Sequence, residues 1–205
     1  MYYEYVEYTD PLKDFNNVML RLLKYNGYNA RIFTIGEPGW ENHELARDCN
    51  SYIKLEHPKI SQIGLRMVNP PKDHVKRDGT YTIDIHYVVP RLQISRPKEY
   101  RATLKYTSRG LFSRHNEGIA WLGRELSGKL AEDEPTMTKL GWQLKPYENI
   151  TITPDPVHDS VHIVLRTRLT LEYSHPGIAY PWELPSTDMF KCIERIAGRI
   201  KDYAS

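Results

Sequence analysis

A chain of 205 residues with 40% apolar and 26% charged side chains is long enough to bury a core and too apolar to stay unfolded. Its 28 basic and 26 acidic residues leave a net charge of +2, which makes no overall case for a polyanion or a membrane surface as partner. The two cysteines, Cys49 and Cys192, stand far apart and outside any Cys-x-x-Cys pattern, which argues against a disulfide framework or a structural zinc site.

Residues 2–8 read as a short strand or arm, since Tyr and Val favour extended backbone while Glu4 and Glu7 keep it soluble. The same segment lacks a basic stretch followed by an apolar run, so no signal peptide is expected. Asp10-Pro11 opens a helix with a capping acid and a proline at the first helical position. Leu12, Phe15, Val18, Met19 and Leu22 continue it, and Gly27 stops it. Ala30 to Ile35 predicts a strand, residues 36–39 a turn, and Leu45, Cys49, Tyr52 and Ile53 fit a helix over 41–57. Strands follow at Ile63–Met67, Tyr81–Val89 and Tyr100–Thr107, expected to form an antiparallel meander. A second helix is predicted over 113–131, capped by Ser113, with Ile119, Leu122, Leu126 and Leu130 as its stripe and Glu132-Asp133-Glu134-Pro135 as its stop.

Residues 143–173 then predict one long β-hairpin with its turn at Thr153-Pro154-Asp155-Pro156. Its second arm places Val161, Ile163, Leu165, Leu169, Leu171 and Tyr173 on an inner face and His162, Arg166, Arg168, Thr170 and Glu172 on an outer one. Arg166 and Arg168 are expected to be dispensable for folding and to offer donors to a neighbour. A segment at 174–186 holds Pro176, Pro181 and Pro185 around Tyr180 and Trp182. A last helix carries Met189, Ile193, Ile196, Ala197 and Ile200 inward. The fold class expected is α+β, an antiparallel sheet with helices packed on it. Residues 1–173 form one domain, with the Pro-rich arm and closing helix of 174–205 packed on it.

Chemistry is sparse. Asp84, His86, His158 and His162 allow a metal cluster to be drawn, giving a metal-dependent enzyme as one alternative; the plainer reading is solvated or hydrogen-bonded histidines on a sheet surface. No Gly-rich phosphate loop or nucleophile elbow is present, and neither cysteine has a basic neighbour to activate it. No catalytic residue, metal or cofactor is expected. Arg91, Arg96, Lys98, Arg101, Lys105, Arg109 and Arg114 gather against the single acid Glu99, and Glu132, Asp133 and Glu134 form an acidic corner. Such a pair of patches suits head-to-tail contact between copies of the chain. The basic strip equally suits nucleic acid, or is a solvated strand edge. Fifteen tyrosines, including Tyr180 beside Trp182, suit surfaces that become interfaces.

The order of elements resembles that of the tail terminator and tail-completion proteins of tailed bacteriophages: helix Pro11–Tyr25, strands from Ala30 to Thr107, helix Ser113–Ala131, then Ile150–Pro156 and Val161–Tyr173 as closing strands. That resemblance implies a structural virion protein forming a homo-oligomeric ring at the tail and neck. It would cap the tail tube, join it to the connector, and surround passing DNA, with no membrane partner and no catalytic residues.

Overall fold

The computed structural model describes residues 11–34, 36–37, 51–68, 79–108, 116–171 and 185–204. The N-terminal arm, Leu45, Cys49, Arg109, Ser113, Arg114, Tyr180 and Trp182 lie outside them. The fold is α+β: among the described residues, eight strands form one antiparallel sheet of order β1-β2-β3-β4-β8-β7-β5-β6, with four helices.

Helix α1 (Pro11–Tyr25) ends as the sequence implies. Gly27 takes a left-handed φ of 85°, letting its own N–H reach the Lys24 carbonyl and the Tyr28 N–H reach that of Leu23. Strand β1 (Ala30–Thr34) pairs with β2 (Ser51–Leu55), so the helix expected over 41–57 is wrong at its described end. Tyr52 and Ile53 sit on opposite faces of a strand, and both faces are buried there. An apolar run of that kind carries no period for the eye to read. Strands β3 (Gln62–Met67) and β4 (Gly79–Val89) follow in antiparallel register.

The expected meander breaks at β4, whose second neighbour is β8 (Ser160–Leu171) rather than the next strand in the chain. After β4 the backbone makes a 3-10 turn at Pro97–Tyr100 and enters β5 (Ala102–Ser108), so Tyr100 precedes the strand. The helix expected over 113–131 is replaced by strand β6 (Asn116–Gly123) and a shorter helix α2 (Glu125–Ala131). Gly118 and Gly123 hold φ of 150° and 152°, a region glycine alone enters easily. The helical spacing of Ile119 and Leu122 is therefore accidental, while Leu126 and Leu130 do belong to a helix. The acids at 132–134 start an element instead of ending one. Asp133 accepts the Thr136 N–H and caps α3 (Glu134–Gln143), with Pro135 in its first turn.

Strand β7 (Asn149–Asp155) pairs with β8 only from Asn149↔Arg166 to Asp155↔Ser160. The long regular hairpin over 143–173 is not what forms, since Gln143 ends a helix and 144–148 is a turn. The reversal lies at 156–159, a 3-10 turn closed by Asp159 at φ 46°. The length of β8 is matched by β4, with which it pairs over eleven positions, Gly79↔Leu171 to Val89↔Val161. Helix α4 (Thr187–Ala204) buries Met189, Phe190, Ile193, Ile196, Ala197 and Ile200.

The helices share one face of the sheet. Tyr87 of β4 meets Phe190 of α4, Asn16 of α1 donates to Ser51 of β2, and Tyr106 of β5 donates to the Leu144 carbonyl at the end of α3. Leu65, Ile85, Leu165, Ile150 and Leu104 line that face and are fully or nearly fully buried. Among the described residues no helix is long and apolar enough to cross a membrane.

Candidate functional site

The second face of the sheet carries the polar groups, and the register sets them in rows. One row runs Asn149, Arg166, Asp84, Arg66 across β7, β8, β4 and β3. Arg166 donates from Nε and Nη2 to both Asp84 oxygens, at 2.7 and 2.9 Å, and Asp84 is 5% exposed. The hydrogen-bonded carboxylate raises the Arg166 pKa further. Arg166 is therefore half of a partly buried ion pair, and the expectation of a freely dispensable outer residue fails for it. Arg168, two residues on, is exposed and lies over the Tyr147 ring at 5.1 Å.

One ladder step away, His86 and His162 approach with Nδ1 atoms 3.4 Å apart, and both are buried, at 5% and 3% exposure. Of the two plain readings, solvated or hydrogen-bonded, this pair is the hydrogen-bonded one. Burial, and secondarily the neighbouring His162, push the His86 pKa down to about 4 against a weaker pull from Asp84, so His86 is neutral at pH 7. His162 Nε2 lies 3.8 Å from Asp155 Oδ2, and Asp155 in turn holds His158 Nδ1 at 2.7 Å. Burial alone would raise the Asp155 pKa; the His158 contacts and the charge of His162 hold it below the ordinary value. A polar track thus runs from the interior to the end of β7. Among the described residues no group of three or more His, Cys, Asp or Glu is placed to hold a metal ion.

The basic strip meets the start of helix α2, where the Arg124 N–H reaches the Arg101 carbonyl, and the acids at 132–134 follow the other end of that helix. Helix α2 packs against the 3-10 turn that carries Lys98 and Glu99. Arg96, Lys98, Arg101 and Lys105 are exposed, as are Glu132 and Glu134. Asp133 is buried as a cap and holds Arg199 Nε at 3.5 Å, so it offers nothing to a partner.

Among the described residues the exposed large apolar groups are Tyr25, Val157 and Trp142, the last at 84%, with Leu122 at 44% and Tyr147 at 40%. Trp142 ends α3 and Tyr147 sits in the turn after it. Arg168, stacked on Tyr147, also lines an open groove of about 570 Å³, walled by Gln143, Lys145, Glu148 and the start of α4 at Thr187. Sequence reading missed Trp142 because α3 itself was missed. The Asp84–Arg166 pair was open to discovery, since two alternating strands with opposite charges on their outer faces invite pairing.

No family model matches this chain, and neither the curated proteins nor the solved structures contain a match to it.

Proposed function

We propose that the chain is a structural assembly protein, working by surface contact. Within that class we read it as a ring-forming tail terminator or completion protein that caps a bacteriophage tail tube and joins it to the head connector in the virion. The assembly reading is carried by the exposed Tyr147 and Arg168, stacked on each other where Arg168 lines an open groove, with the exposed Trp142 five residues before Tyr147 in the chain. Trp, Tyr and Arg are the residues that most often dominate interface energies, and a stacked Arg is already ordered for contact. The narrower reading rests on the order of elements: a helix, a run of strands, the helices α2 and α3, the adjacent strands β7 and β8, and a closing helix.

Copies of the chain, tail-tube subunits and connector proteins are the partners this reading names, with DNA passing by. A direct DNA-binding role for the basic strip is the weaker reading, because Glu99 and Glu125 interleave with Arg96, Lys98, Arg101 and Arg124 and dilute the attraction for phosphates. The test is sedimentation and electron microscopy of the purified chain with and without tail tubes, alongside Trp142→Ser and Arg168→Glu. We expect the wild type to form rings or cap tubes, and both variants to keep their far-UV circular dichroism while losing that ability. A chain that neither oligomerises nor binds tubes sinks the proposal.

A further inference from the structure

The two edges of the sheet are built differently. At the β1 edge, Glu37 accepts the Thr34 N–H and hydroxyl and pairs with Arg31 at 3.0 Å, while the Arg31 guanidinium lies 4.3 Å over the Phe33 ring. A strand edge with its last donor occupied and a charged side chain fixed along it resists further pairing. Strand β6, at the other edge, has no such guard. From Gly118 to Gly123 it reads Gly-Ile-Ala-Trp-Leu-Gly, with no charge and no proline, and among the described residues nothing pairs its outer side. A bare apolar edge is a template for another strand.

We infer that β6 pairs with β6 of a second copy of this chain, antiparallel, about a two-fold axis through Ala120. Side chains select this register from its neighbours. Centring on Ala120 sets Leu122 of each copy opposite Gly118 of the other, where the space a Cβ would occupy has nothing within 4 Å. Leu122 is 44% exposed on the helix-free face, so the exposed side chain meets the residue without one, twice. On the helix-covered face Ile119 falls opposite Trp121, a β-branched–aromatic pair of the kind that stabilises sheets. Centring on Ile119 or Trp121 loses the match of Leu122 to Gly118.

Charge favours the same arrangement. The uncharged run is preceded in sequence by Glu117 and followed by Arg124, so antiparallel self-pairing brings the acidic end of each copy to the basic end of the other. This contact does not depend on the ring.

Sedimentation equilibrium of the full chain should give twice its 24.0 kDa mass, and Leu122→Lys, which charges the edge without entering the core, should halve it with unchanged circular dichroism and melting. Ala120→Cys in a Cys49→Ser background should cross-link to its own copy on mild oxidation, whereas Leu122→Cys should not. A wild type that stays monomeric at high concentration overturns the inference, as does an oligomer that survives Leu122→Lys and gives no cross-link at Ala120. The Arg168 variant, on β8, leaves this dimer intact, so loss of rings or tube capping in it bears on the assembly reading alone.

Discussion

Arg166 uses two of its five N–H donors on Asp84, and that changes what its removal should do. An exposed arginine contributes roughly 0–1 kcal/mol, but taking one partner from a buried pair leaves a charge that water cannot reach. Arg166→Met should therefore cost about 3 kcal/mol by urea denaturation, the low end of the range for such pairs because the arginine side chain is itself 45% exposed. Asp84→Leu together with Arg166→Met should recover most of that loss, since an apolar pair of similar volume has no desolvation cost to offset. An Arg166→Met protein as stable as the wild type would mean Asp84 has solvent or another cation in reach.

At the scale of elements, β6 reaches the sheet only because Gly123 has no side chain. A Cβ there would lie 2.3 Å from the Arg101 carbonyl oxygen and 2.9 Å from the Ala102 Cα, in a φ region where L-residues are strained. Gly123→Ala should destabilise the protein by about 1–3 kcal/mol and raise hydrogen exchange in β5 and β6 selectively, because the clash sits where those strands close. Uniform exchange across the sheet would show the strain relaxing elsewhere. The same strand shows where the sequence is legible. β3, β4 and β8 alternate because one face meets the helices and the other holds polar groups, and α1 and α4 announce themselves by caps and stripe. β6 sets Ile119 and Leu122 at a helical spacing that misleads, and α3 turns few apolar residues inward, chiefly Met137 and Leu140, so neither announces its true form. The polar track was visible as residues but not as a site, because its burial depends on which strands become neighbours, and β4 meeting β8 is a crossover that no local pattern encodes.

For the whole molecule, the His86–His162 contact ties global stability to pH. In the unfolded chain His86 titrates near the ordinary 6.5, while in the fold burial, and then the neighbouring His162, hold it at about 4. Between those values the unfolded state takes a proton the native state refuses, so stability falls as pH drops from 6.5 towards 4 and is unaffected by this group above 6.5. A shift of that size corresponds to about 3 kcal/mol. His57, whose pKa is also lowered chiefly by burial and partly restored by Glu194, acts in the same direction. Asp155, held below its ordinary value, adds a further loss as pH falls through its folded pKa. Urea unfolding at a series of pH values should therefore show a slope near one proton or more across this window. His86→Gln, which cannot titrate, should flatten it by about one proton while leaving the dependence on Asp155 at lower pH. Identical slopes in the variant and the wild type would mean the native state protonates His86 as readily as the unfolded chain does, and would place water within the His86–His162 contact.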